Sequence, residues 1–153
     1  MYSVWLSDDE QRVWRDYLAM TNRLEAEMNR QLQRDCGLSL ADYDVLVAVD
    51  EQPGCRINAL GDRLGWEQSR LSHQLRRMAD RGLVERTGAK DDRRAATVAL
   101  TAQGRRALKA AAPGHAALVR ETVFAGVTPT DLKAVGRWTR KVVEALTSPT
   151  RRT

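Results

Sequence analysis

Long apolar runs are missing: nothing in the 153 residues approaches the run of about 18 apolar residues that a membrane-spanning helix needs. The opening residues, MYSVWLSDDEQ, have neither the basic flank nor the apolar core of a secretory signal, so a cytoplasmic protein is expected. Cysteine is scarce. Cys36 and Cys55 are too far apart for a CxxC pair and read as two ordinary reduced thiols. Histidine is equally scarce, with only His73 and His115, and His115 reads as a helix-surface residue. The chain has no HExxH, no Cys–His set at metal-ligand spacing and no glycine-rich phosphate loop. The paired acids Asp8-Asp9 and Asp91-Asp92 are accounted for by a helix start and a turn. No catalysis, cofactor or metal is expected.

Positive charge is missing from one third only. Residues 1–55 hold five Arg against eleven Asp and Glu, whereas residues 56–94 hold ten Lys and Arg against six acids. Residues 95–153 hold ten against three, and the whole chain carries a net +5. An anionic partner is expected for the middle and the end, not for the start. The length fits one domain with a real core.

Residues 66–104 carry the most information. Leu71, Leu75 and Met78 recur at i, i+4 and i+7, which predicts a helix over 67–81 with one buried stripe. Its opposite face collects Ser69, Arg70, His73, Arg76 and Arg77, donors suited to base edges and phosphates. Taken alone, such a face reads as a solvated surface; the wing beside it reverses that reading. Gly82 ends the helix; a strand is expected at 83–86, a polar tip at 87–94 (TGAKDDRR) and a second strand at 95–100. Helix, strand, charged tip, strand is the outline of a winged helix-turn-helix. A tip with Lys90, Arg93 and Arg94 suits a DNA backbone or minor groove.

These residues resemble the MarR family of bacterial transcription regulators. Asp92-Arg93-Arg94 followed by Val98-Ala99-Leu100-Thr101-Ala102-Gln103-Gly104 is similar to that family's wing motif, D-x-R…L-x-L-T-x-x-G. Leu60, Leu64-Gly65 and Gly82-Leu83-Val84 match as well, and the resemblance covers nearly the whole chain. It implies a mainly α fold with a small β-wing, a winged-helix lobe over about 39–101, and dimerisation helices over 7–35 and 102–147. It places Arg94 in the minor groove, with Asp92 holding its guanidinium by a charge-assisted hydrogen bond. Arg93 points the other way on an extended strand, toward phosphate or solvent.

Taken in order, Ser7-Asp8-Asp9-Glu10 is a capping box opening a long helix with Val13, Trp14, Tyr17, Leu18, Leu24, Met28 and Leu32 on one stripe. Gly37 ends it. Ser39 caps a second helix whose inner side is expected to hold Tyr43, Leu46, Val47 and Asp50. DVLVAV also fits a strand, but the cap before it and Pro53-Gly54 after it favour helix. Arg56-Ile57 reads as a bridging strand, Asn58 as the cap of a short helix over 59–64, and Trp66 as corner packing. Thr101 caps a helix to about Ala125, interrupted and kinked at Pro113-Gly114. Thr128 and Pro129 start the last helix, with Leu132, Val135, Trp138, Val142 and Leu146 as its stripe. The tail SPTRRT is expected to fray.

The reading is therefore a homodimeric regulator binding a pseudo-palindromic double-stranded DNA operator, as a repressor. The competing readings are a winged helix for protein or RNA contact, or non-specific architectural DNA binding. The resemblance further implies an aromatic small-molecule effector between the dimerisation helices and the lobe. The aromatics available there are Trp14, Tyr17 and Tyr43, with Arg105 and Arg106 as carboxylate partners.

Overall fold

The computed structural model describes residues 5–88 and 95–148. Lys90, Asp91, Asp92, Arg93, Arg94 and the tail from residue 149 lie outside the described residues. The chain divides into two compact units, 1–116 and 117–153. Its architecture is mainly α with a three-stranded antiparallel sheet, as the sequence predicts. Among the described residues no helix is long and apolar enough to cross a membrane.

In the first unit, α1 (Asp8–Cys36) starts at the predicted capping box: the Ser7 N–H donates to Glu10 Oε2 (2.8 Å) and the Glu10 N–H to Ser7 Oγ (3.2 Å). Gly37 closes it with φ 66°, a left-handed conformation that glycine adopts without strain. Only Gln31 and Leu32 of its 29 residues are buried, so about five turns extend beyond the core. Helix α2 (Leu40–Glu51) forms where the cap prevails over the valine-rich strand alternative, and its capping box pairs Ser39 with Asp42. The buried side of α2 is Asp42, Val45, Leu46 and Val49, one residue earlier than expected. Tyr43 and Val47 are only partly buried and Asp50 is exposed. The carboxylate of Asp42 serves groups inside the lobe, and that turns the helix inward on its side.

Strand β1 (Cys55–Arg56) leads directly into α3 (Ile57–Leu64). Asn58 is not its cap; it sits exposed inside the first turn. The Ile57 N–H donates instead to Ala96 O across the sheet (3.0 Å), so an orphan donor of the helix start is already satisfied. Gly65 (φ 66°) makes the predicted turn into α4 (Gln68–Asp80). Strands β2 (Val84–Thr87) and β3 (Thr97–Leu100) pair from Val84↔Leu100 to Thr87↔Thr97, and β3 lies between β1 and β2. Leu32, Leu46, Val49, Leu60, Leu71, Leu75, Met78 and Val98, each at most 1% exposed, form the centre of the core.

Helix α5 (Ala102–Val119) is capped by Thr101, whose Oγ accepts from Gly104 N–H (2.9 Å) and donates to Gly82 O (2.6 Å). It runs through Pro113 without the predicted interruption. Pro113 and Lys109 are both exposed, so the carbonyl that loses its helical partner there is on a solvated face. The second unit holds a π-helical turn (Arg120–Phe124) and α6 (Pro129–Thr147), with Thr128 and Asp131 forming its capping box. Leu132, Val135, Trp138, Val142 and Leu146 form the predicted stripe, and all are exposed.

Candidate nucleic-acid interface

Helix α4 buries Leu71, Gln74, Leu75 and Met78 and exposes Ser69, Arg70, His73, Arg76 and Arg77, so all five predicted contact residues reach solvent on one element. At about 100° per residue, Ser69, His73 and Arg76 fall within roughly 60° of one another, directly opposite the core. Arg70 and Arg77 lie together on the flank next to Gln74. Their side chains are engaged differently. The Arg70 guanidinium stacks 4.1 Å over the Trp66 ring, which packs at the α3–α4 corner as expected. Arg77 Nη2 donates to Gln74 Oε1 (2.6 Å). Ser69, His73 and Arg76 have no hydrogen-bond or ion-pair partner among the described residues.

Beneath this face runs a polar chain that pattern reading missed. Gln74 Nε2 donates to Asp42 Oδ1 (2.6 Å), and both residues are only 3% exposed. Asp42 Oδ2 accepts from Arg81 Nη1 (2.7 Å) and from the Ser39 N–H (2.9 Å). Arg81 Nη2 reaches Gly37 O (2.9 Å). One carboxylate thus ties the start of α2, the end of α1 and the recognition-type helix together. Sequence carries one signal for it. Position 74 is i+3 from Leu71 and i−4 from Met78, on the buried stripe, where a glutamine requires a partner. Nothing in the spacing says which partner.

Strands β2 and β3 form the base of the wing, with Arg86 exposed on β2 as a further cation that was not singled out. Asp92, Arg93 and Arg94 belong to the tip outside the described residues.

The three aromatics expected in one effector site form two separate pairs. Trp14 stacks on Tyr17 (centroids 5.6 Å apart), and Trp14 also lines a groove with Trp5, Leu6, Gln11 and Arg15. Tyr43 instead meets His115, with centroids 4.3 Å apart. The reason is length: α1 meets α2 near Asn29, whose side chain accepts from Leu40 N–H, and Tyr17 lies about 18 Å back along the helix. Arg105 is held by Leu100 O (3.1 Å), while Arg106 is exposed. His115 is half-buried and not the plain helix-surface residue expected: its Nδ1 is buried and unpartnered among the described residues, as is Gln31 Oε1 on α1. Gly114 lies against the Gln31 amide.

Burial pushes the His115 imidazole below its ordinary pKa and the Tyr43 phenol above its own, with the Asp44 charge adding to the latter. For His115 the folded state therefore favours the neutral ring. That stability is fully present above the ordinary histidine value near 6.5 and is lost as pH falls through the lowered folded value, because the unfolded chain protonates first. Between pH 7 and pH 5 the urea midpoint is expected to fall more steeply for the natural chain than for His115→Phe. Parallel pH profiles would show that the ring does not titrate differently on folding. Burial also raises both thiols, Cys36 and Cys55, consistent with unreactive cysteines. Among the described residues no cluster of three or more His, Cys, Asp or Glu could hold a metal.

Residues 37–95 match the family model described as the MarR family. The chain is similar to Sco3205 of Streptomyces coelicolor, a MarR family transcriptional regulator solved in complex with DNA. The two are 37% identical with a TM-score of 0.89, covering 97% of this chain and 94% of that one. It is also similar to AbsC, another MarR family transcriptional regulator of Streptomyces coelicolor, at 34% identity and TM-score 0.86, over 94% of this chain and 98% of that one. The transcriptional regulator HosA of Escherichia coli is 37% identical over 76 residues, half of this chain; the match spans 56% of HosA's length. All three are described as regulators of transcription, none as an enzyme.

Proposed function

The chain belongs to the MarR family of transcriptional regulators, and from that premise we propose that it is a homodimeric repressor that reads a pseudo-palindromic double-stranded operator through α4. The observation that carries this is the outward face of α4: five donor side chains, three of them arginine, exposed together on a helix whose other face is sealed into the core. The divided organisation follows the same reading. A winged-helix lobe over about 39–101 contacts DNA, while helices within 7–35 and 102–147 hold the dimer. Exposed Val13, Trp14 and Leu18 on α1, and Leu132, Val135, Val142 and Leu146 on α6, support dimerisation, since these large apolar side chains remain exposed in the single chain. Recognition helices in successive major grooves on one side of the duplex need half-sites about 10 bp apart, centre to centre. At the wing, Arg94 enters the minor groove with Asp92 orienting it, and Arg93 meets phosphate or solvent.

Small-molecule control is the remaining part of the proposal. The unpartnered buried atoms Gln31 Oε1, next to Gly114, and His115 Nδ1, whose ring meets Tyr43, support an effector subsite there in place of the predicted three-aromatic site.

Fluorescence anisotropy with a duplex from the chain's own upstream region, against a scrambled duplex at the same salt, tests the function. Specific regulators bind their sites typically 10³-fold or more tighter than non-specific DNA. Equal affinity for both duplexes would favour an architectural role, and no binding to either would favour protein or RNA contact. In the same titration an aromatic acid such as salicylate should weaken binding, and less so for Tyr43→Ala.

A further inference from the structure

We infer that Asp42, acting through Gln74, divides the basic face of α4 into a reader and a clamp. Ser69, His73 and Arg76 read base edges, whereas Arg77 is committed in advance to the DNA backbone. The inference rests on α4 being the DNA-contacting helix and goes beyond it by assigning roles to its arginines.

The orientation of Gln74 is decided by its neighbours. Asp42 carries only acceptors; its Oδ2 takes both the Ser39 N–H and the Arg81 guanidinium, and its Oδ1 is left needing a donor, so the glutamine must present its NH₂ there. Its Oε1 then faces the helix flank, and there Arg77 donates to it at 2.6 Å. Both Asp42 and Gln74 are sealed from water, so this donor–acceptor order cannot be reversed without leaving a buried polar group unsatisfied. The buried charge of Asp42 is thereby relayed through a neutral amide to a cation at the surface.

Two consequences follow for Arg77. Its side chain is ordered before DNA arrives, which removes part of the ordering cost of making a phosphate contact. One arm of its fork is also occupied, and its position on the flank directs it away from the axis of the face. Reading guanine requires a free fork aimed at O6 and N7. Arg76 meets both conditions: it lies on the outermost line with Ser69 and His73, and its guanidinium is unengaged among the described residues. Arg70, stacked on Trp66 on the same flank as Arg77, falls on the clamp side. Asp42 and Gln74 are accordingly positioning residues, remote from DNA themselves.

The test uses the full chain, a duplex enriched from a random-sequence pool, and a scramble of it, each titrated across a series of salt concentrations. Arg76→Ala is expected to reduce the preference for the enriched duplex by roughly 10- to 100-fold. Arg77→Ala should weaken both duplexes by the same factor and shallow the log–log salt slope by about 0.9. Gln74→Met keeps length and bulk but cuts the tether. It should reproduce part of the Arg77→Ala loss equally on both duplexes, and add nothing further in the Arg77→Ala background. A purely structural role for Gln74 would lower thermal stability yet leave the two substitutions additive, which overturns the tether. Loss of preference in Arg77→Ala with none in Arg76→Ala overturns the division of roles while leaving α4 as the DNA helix. No change in either arginine variant overturns the reading of α4 itself, and this inference with it. Because Arg76 and Arg77 are exposed, their variants decide the division even if Gln74→Met folds poorly.

Discussion

Gly104→Ala is expected to lower the thermal midpoint by roughly 6–12 °C, at about 3 kcal/mol for an overpacked site and some 2–4 °C per kcal/mol in a chain of this size. A Cβ at position 104 would lie 3.0 Å from the Leu83 carbonyl carbon and nearer still to its oxygen, well inside contact distance. The obstacle is backbone, so no rotamer change relieves it. Leu83 O cannot retreat cheaply, because it accepts the Thr101 N–H (3.2 Å) at the point where β3 passes into α5. Thr101 in turn bonds Gly82 O and the Gly104 N–H. The substitution would therefore prise the start of α5 from the strand that carries the wing. Gln103→Ala, one position away on an exposed site, serves as the control and should shift the midpoint by no more than about 2 °C. A Gly104→Ala protein melting like the natural one would mean that α5 does not approach Leu83 this closely. This contact also gives the physical reason for glycine in the T-x-x-G part of the wing motif.

The largest effect on assembly is expected from Val135→Asp combined with Val142→Asp. The two valines are seven residues apart on one line of α6 and are 53% and 39% exposed in the single chain. Covering the exposed half of each contributes about 1 kcal/mol, and a two-fold interface counts every residue twice. Four such burials amount to roughly 4 kcal/mol, so the dimer should weaken about 10³-fold or more once aspartate replaces valine. Helix content should not change, since both positions face water in the monomer and the capping box of α6 is untouched. Sedimentation velocity at micromolar concentration should find the natural chain dimeric and the variant monomeric. The variant should also lose its advantage on a two-half-site duplex over a single half-site. A natural chain that sediments as a monomer would remove the dimer from the proposal.

Much of this protein is legible in one dimension because the relevant interactions are local. Ser7, Ser39 and Thr128 cap helices through groups three residues away, and Gly37, Gly65 and Gly82 end helices through their own φ. Leu71, Leu75 and Met78 fix which side of α4 is buried, and so which residues face out. The wing strands are found to within one or two residues, and the motif around Thr101 and Gly104 points to the family.

Other features depended on partners distant in sequence. Asn58 looks like a cap, but the neighbouring Ile57 N–H finds Ala96 O, 39 positions later, and needs none. His115 looks like a surface residue until Tyr43 is brought against it from α2. The roles of Arg76 and Arg77, adjacent and chemically identical, were indistinguishable from sequence. They separate only because Gln74, 32 residues from Asp42, is pressed against that carboxylate. Hydrogen bonding acts over about 3 Å in space and is indifferent to separation along the chain. Sequence by itself therefore determined which surfaces exist, and the packed tertiary structure decided which polar groups on and beneath them are already engaged.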